Sequence, residues 1–239
     1  MIKFFRKIRQ KMLTENKFSK YLLYAIGEIL LVMIGILLAF QVNKWNEIKK
    51  DNILQKNLLK EIKIGLISDL KDVTSNIERQ QEILTNQQLI INWIQSDKEY
   101  QDTIAKSLAD SYQGTYFGAN DGPYETLKQI GLRRIQNDSL RNQISNLYNI
   151  VYPLYRKFDD IYAENQMGMF GKSSEHLSEI TWSQLITIND IDRFKSDNKY
   201  LFAMKTTKNI GKILINLGMI PTKNSIEFTL ELIEQELEE

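Results

Sequence analysis

Between residues 21 and 40 the chain reads YLLYAIGEILLVMIGILLAF, where seventeen of twenty residues are apolar and one, Glu28, is ionisable. At 1.5 Å per residue a helix of this length covers about 30 Å, the thickness of a hydrocarbon core. Core helices of soluble proteins seldom run so far without a polar face, so the stretch predicts a transmembrane helix over residues 21–43. Tyr21 and Tyr24 at one end and Trp45 at the other stand where an aromatic belt lies. The run exceeds a signal-peptide core and no small-x-small cleavage site follows it, so an uncleaved signal anchor is expected.

Charge gives the helix a direction. Residues 1–20 hold Lys3, Arg6, Lys7, Arg9, Lys11, Lys17 and Lys20 against Glu15, a balance of +6 that leaves −5 for the rest of a chain of net charge +1. Basic residues flanking a spanning helix stay cytoplasmic, which predicts a cytoplasmic juxtamembrane segment over 1–20 and an extracytoplasmic domain over 44–239. In a Gram-negative cell these assignments mean the inner membrane and the periplasm. Phe4, Phe5, Ile8, Met12 and Leu13 alternate with the bases, as in an interfacial helix on an anionic leaflet. The rival reading is a basic arm for nucleic acid. It lacks any recognition fold, so the bilayer and not nucleic acid is the expected partner.

Ala25, Glu28, Val32, Gly35 and Ala39 follow three-four spacing and share one stripe of the apolar helix. Small residues allow close helix approach, and an acid in such a seam can hydrogen-bond across it. The stripe is read as a helix-association seam, joining a homo-oligomer or a partner membrane protein. A role for Glu28 in transport or energy coupling, which needs more than one spanning helix, and no specific role both stay open.

The N-terminal stretch KFFRKIRQKMLTENKFSKYLLYAIGEILLVMIGILLAFQVNKWNE, residues 3–47, closely resembles the signature of a family of uncharacterised single-pass membrane proteins of Bacteroidota. The shared elements are ENK at Glu15 to Lys17, the KYLxYAIGE entry at Lys20 to Glu28 and the QxNxWNE exit at Gln41 to Glu47. A second block, YETLKQIGLRRIQNDSLRNQISNLY at residues 124–148, is similar but less specific. The resemblance implies a phylum and a single-pass topology. It implies no activity and no catalytic residue.

Beyond Trp45, Leu59, Ile62, Leu66, Leu70, Val73, Ile77, Gln80, Leu84, Gln87, Ile91 and Ile94 make a strict heptad stripe, the seam of a coiled coil or a long bundle helix into which the anchor can continue. Gln80 and Gln87 in that seam read as a register device or as partly exposed positions. Ser96 with Glu99 predicts a capping box for a helix to about Tyr112. The segment GTYFGANDGPYETLKQIG, residues 114–131, is a turn between bundle helices, with Asp121 as a cap, Pro123 near a first turn and Gly131 as a stop. Its residues Tyr116, Phe117, Asn120, Asp121 and Tyr124, with Arg134, form the candidate binding loop. Asn137 caps a helix over 138–167 kinked at Pro153, along which Tyr148, Tyr152, Tyr155, Phe158 and Tyr162 form an aromatic stripe, read mainly as core. Residues 168–188 read as a short helix with a short strand near Leu185 to Ile188. Another helix opens at Asn189 or Asp190 and ends near Gly218, and a last one starts at Asn224 with Glu227 as its capping partner. The six glutamates of that last segment read as a solvated face or as a surface for a basic partner.

The fold class expected is all-α: a single N-terminal transmembrane helix continuing into an elongated, bundle-like or coiled-coil-like extracytoplasmic domain. Three prolines and eleven glycines leave room for such helices. Without cysteine there is no thiol catalysis, thiolate metal site or disulfide. The single histidine, His176, is read as a surface residue; it has no nucleophile motif beside it and cannot build a Glu-x-x-His di-metal pair alone. Asp159, Asp160 and Glu164 lack a Gly-turned oxygen loop for a hard cation. No enzyme, cofactor or metal is expected. The function expected is a structural or protein-interaction role at the membrane. The alternative is a ligand-sensing helical bundle that signals through a membrane partner.

Overall fold

The computed structural model describes residues 18–180 and 186–238. The basic segment predicted over 1–20 falls outside them as far as residue 17, as do residues 181–185. The chain divides into two compact units, Met1–Leu54 and Gln55–Glu239. Helix α1, Phe18–Ile94, contributes to both without a break, so the apolar run and the heptad stripe belong to one helix.

Among the described residues of the first unit, nothing covers the apolar face beyond Glu28. From Ile29 to Leu54 every residue of α1 is exposed. In the second unit the same helix turns amphipathic. Leu59, Ile62, Leu66, Val73, Gln80, Gln87, Ile91 and Ile94 are buried, and Leu70, Ile77 and Leu84 are half-buried. Leu58, Asp69, Ile83, Ile90 and Trp93 are buried beside them, so the stripe is wider than a two-position seam. A wide stripe is what a helix shows when neighbours flank it on two sides, and the neighbours here are this chain's own helices.

These are α2 (Asp102–Ser111), α3 (Gly122–Ile130), α4 (Asp138–Asn146), α5 (Tyr152–Ser173), α6 (Ile191–Ser196), α7 (Asn198–Ile213) and α8 (Ile220–Glu238). A two-stranded antiparallel hairpin, β1 (Leu177–Ile180) with β2 (Ile186–Ile188), interrupts them, placing a strand where Leu185 to Ile188 predicts one. One core gathers the α1 residues from Leu58 to Val73 with Leu127, Leu140, Ile144, Tyr152, Leu214, Ile226 and Ile233. The second surrounds the end of α1, where Ile90, Trp93 and Ile94 meet Leu108, Met169, Ile186, Phe194 and Tyr200.

Pro153 and Pro221, in the longer helices, are accommodated by the same device. Five residues of π-helix, Leu147–Val151, precede Pro153, and six, Leu214–Met219, precede Pro221. A proline in a helix lacks the N–H and its ring meets the carbonyl four residues back; a widened turn lets that carbonyl move aside. The helix expected to stop near Gly218 therefore continues through Pro221, and the capping box expected at Asn224 and Glu227 does not form. The Ser96/Glu99 box is overturned too. The Ser96 hydroxyl donates to Trp93 O at 2.9 Å, and the Trp93 indole N–H donates to Lys98 O and Glu99 O. The segment thus closes α1, and α2 begins later, after an extended Gln101 with no side-chain cap. Asp121 stands at the N-cap of α3 without capping through its side chain. Asn137 does cap α4, accepting from Ser139 N and Leu140 N, and Gly131 ends α3 at a φ of 102°, which favours glycine.

Candidate functional site

The candidate binding loop lies along α1, and one buried carboxylate holds it there. Asp69, fully buried, accepts from Asn120 N at 3.0 Å and Asn120 Nδ2 at 2.6 Å with one oxygen, and from the Tyr152 hydroxyl at 2.7 Å with the other. One turn earlier Gly65 leaves room for this contact, since a Cβ there would stand 3.1 Å from Asn120 Cβ. Farther along α1, Asn76 Nδ2 donates to Tyr116 O at 2.8 Å and Arg79 binds the Gln113 side chain. Burial pushes the Asp69 carboxyl above the usual range, against the opposing pull of its three hydrogen bonds.

The aromatic stripe of α5 faces the same stretch of α1, and its hydroxyls find polar partners. The Tyr148 hydroxyl donates to Asn120 O, Tyr155 takes the Asn76 amide at 3.3 Å, and Tyr162 takes the Gln87 amide at 3.3 Å. Phe117 stacks on Tyr155 with centroids 4.7 Å apart, and Tyr124 stacks on Tyr148 at 4.4 Å. Burial raises the phenol pKa of Tyr148, Tyr152, Tyr155 and Tyr162, so these groups act as neutral hydrogen-bonding partners. Asp159, beside Asp160 on α5, is pushed up to about 6 by burial and then by its neighbour.

His176 is not a surface residue, as expected from sequence, but 4% exposed. Its Nε2 lies 2.9 Å from Asp197 Oδ2, while Asp197 Oδ1 accepts from Lys199 N and Tyr200 N and so caps α7. The imidazole edge meets the Phe194 ring at 5.5 Å. The contacts tie the 3₁₀ turn before β1 to the start of α7, an orienting role.

Of the six loop residues, Phe117 and Tyr124 lie in the core and Asn120 is bound to Asp69. Tyr116 is 82% exposed. Asp121 stands 3.8 Å from Arg156, and Arg134 Nε donates to Ile130 O at 3.2 Å. Of the seam residues on the first unit, Val32, Gly35 and Ala39 are exposed and Ala25 and Glu28 half-buried. Asp69 and Gly65 carry the docking of the loop, yet their spacing in sequence is only that of any two residues a turn apart. A polar residue beside an apolar heptad stripe is the one signal that points to Asp69.

Residues 28–175 match a family of unknown function, DUF6090. The chain belongs to that family. The DUF6090 match takes in the apolar helix from Glu28 onward, the docked loop and the aromatic stripe, and it ends before the β1–β2 hairpin. No curated protein and no solved structure matches the chain.

Proposed function

We propose that this DUF6090 protein is a single-pass membrane protein, N-terminus cytoplasmic and helical bundle periplasmic, that acts by binding other proteins and not as an enzyme. The observation that carries the reading is the uncovered apolar surface of the first unit. An 18-residue window there has a mean hydropathy of 2.3 and no buried residue, with Leu23 78% and Leu31 74% exposed. Such a surface is stable only in a hydrocarbon solvent, and its length suits a bilayer core of about 30 Å. The +6 flank of residues 1–20 supports the direction, and the likeness of residues 3–47 to the Bacteroidota signature supports an inner-membrane setting. The Ala25, Glu28, Val32, Gly35 and Ala39 stripe is then a seam for a second spanning helix, of another copy or of a partner. The absence of a catalytic role is supported by what the polar groups do: Asp69 holds a loop and His176 holds a helix cap.

The ligand-sensing alternative has one observation in its favour, a cleft of about 520 Å³ between the end of α1 and the start of α2, walled by Leu89, Trp93 and Ile104. For the main reading, a reporter active only in the periplasm and fused after Glu239 should be active, and the protein should stay in the membrane through carbonate extraction. An active cytoplasmic reporter at the same position would refute it.

A further inference from the structure

The buried apolar side chains form two separate cores, and no side chain belongs to both. One surrounds the stretch of α1 beside Asp69 and the other surrounds Trp93; the lobes they hold together are called here by those residues. Four stretches of chain pass from one lobe to the other, and each crosses on polar groups. On α1 the side chains buried between Val73 and Ile90 are Gln80, Ile83 and Gln87, and Ile83 joins neither core. Neither amide atom of Gln80 has an aligned hydrogen-bond partner, while Gln87 donates to Ser111 O at 3.2 Å and to the Tyr162 hydroxyl at 3.3 Å. After α2 the chain crosses at Gln113, whose side chain takes Arg79 and whose carbonyl takes Gln166. On α5 the crossing lies between Tyr162 and Met169, and on α7 between Met204 and Ile210. There the Thr207 hydroxyl donates to Asn165 O at 3.2 Å, and Lys208 reaches the Gln88 side chain. A belt of amides, hydroxyls and carbonyls thus separates the two cores.

We propose that the Trp93 lobe opens as a cooperative unit of its own while the Asp69 lobe stays folded. The Trp93 lobe comprises the end of α1 from Ile90, α2, Phe194 of α6, and the parts of α5 and α7 around Met169, Tyr200 and Met204. Shared apolar burial makes two regions unfold together, because neither can leave without uncovering the other. Polar contacts couple them far less, since water replaces the partners that opening removes. Gln80 tilts the balance further toward opening. Its amide is fully buried without an aligned partner, so it gains hydrogen bonds to water when the belt parts. The cleft walled by Leu89, Trp93 and Ile104 is built from the end of α1, the turn after it and the start of α2. Opening therefore dismantles that cleft and leaves the loop on Asp69 docked. A molecule filling the cleft would bind the closed lobe alone and hold it shut. All of these contacts lie within the second unit, so the lobe opens in the same way whether or not the apolar run spans a bilayer.

Hydrogen exchange of the full chain in detergent, read by mass spectrometry where exchange follows the opening equilibrium, tests this. Amides of α2 and of α7 from Tyr200 to Met204 should exchange together, at least ~10-fold faster than those of α1 from Leu59 to Val73 and of α5 from Tyr152 to Tyr162. Ile144→Val, in the Asp69 lobe, weakens that lobe equally whether the Trp93 lobe is open or closed. It should speed exchange in the Asp69 lobe by roughly 2- to 12-fold and leave α2 unchanged. Gln80→Met removes the buried amide but keeps an unbranched, flexible side chain, and should slow exchange of α2 at least ~5-fold. Equal exchange in the two lobes, acceleration of α2 along with the Asp69 lobe by Ile144→Val, or exchange of α2 that is unchanged or faster in Gln80→Met would overturn the proposal.

Discussion

Two glycines in equivalent helical backbone separate close packing from helix propensity. A Cβ on Gly211 would stand 2.7 Å from Leu84 Cδ2, 2.8 Å from Gln80 Nε2 and 2.9 Å from Tyr162 Cε2, whereas one on Gly168 would meet nothing within 4 Å. Alanine in place of glycine inside a helix stabilises by about 0.5–1 kcal/mol. At Gly168 nothing opposes that gain. At Gly211 the methyl group must displace three side chains; Leu84 and Gln80 offer flexible ends, but the Tyr162 ring is held by its hydroxyl on Gln87. Overpacking of this kind costs about 1–3 kcal/mol, so Gly211→Ala should be neutral to about 2 kcal/mol destabilised, and Gly168→Ala should be stabilised. The gap of about 1–3 kcal/mol corresponds to roughly 3–10 °C in melting temperature for a chain of this size. Thermal denaturation of the full chain in detergent, followed by circular dichroism, reads it directly. If Gly211→Ala melts at or above Gly168→Ala, α7 does not lie against α1 and α5 as described.

Other substitutions probe the loop and the charged groups. Asp69→Ala leaves Asn120 and the Tyr152 hydroxyl without their acceptor, at a cost of about 2–4 kcal/mol, and should speed limited proteolysis near Tyr116; an unchanged cleavage rate would refute the docking role. Asp159 sits about two pKa units above its ordinary value of 3.8, so the native state holds that proton where the unfolded state has lost it, and stability should rise as pH falls from about 6 to about 4. Asp159→Asn should flatten that dependence and stabilise the protein at neutral pH by about 1–2 kcal/mol, once the shift of roughly 3 kcal/mol is discounted for solvent screening; a pH series of denaturant melts would show it. Asp197→Ala removes the α7 cap and the His176 partner together and should cost about 1–2 kcal/mol, with faster hydrogen exchange confined to the first turn of α7.

What could be read in the sequence was local and periodic. The apolar helix at residues 21–43 and the stripe from Leu59 to Ile94 each repeat over many turns, so no single residue decides them. The Asn137 cap and the Gly131 stop are short-range geometries and hold for the same reason. The reading failed where a distant residue competes for a local motif. Ser96 and Glu99 have the spacing of a capping box, but the Trp93 indole takes the backbone there, and Lys195 donates to Ser96 O and Lys98 O from 99 and 97 positions away. The prolines misled because a π-helical turn leaves no mark in composition. His176 was misplaced because its partner, Asp197, is 21 residues distant. In the candidate loop the aromatic residues were visible as a cluster, but their burial follows from Asp69, which lies 51 positions before Asn120.

The placement of α8 has a consequence for the timing of synthesis. Lys63 pairs with Glu234 at 2.9 Å, and Gln55 donates to Glu236 at 3.0 Å, while Ile226 and Ile233 share a core with Leu58, Leu59 and Ile62. The first apolar turns of the second unit are therefore sealed by residues that leave the ribosome well over a hundred positions later. Between 162 and 180 residues separate Leu58 from the residues of α8, Ile220–Glu238, which at about 5–20 residues per second is an interval of roughly 10–35 s. Throughout it, the start of the stripe at Leu58, Leu59 and Ile62 lacks the cover that Ile226 and Ile233 give it, and a nascent chain stalled before residue 220 should present that end to chaperones.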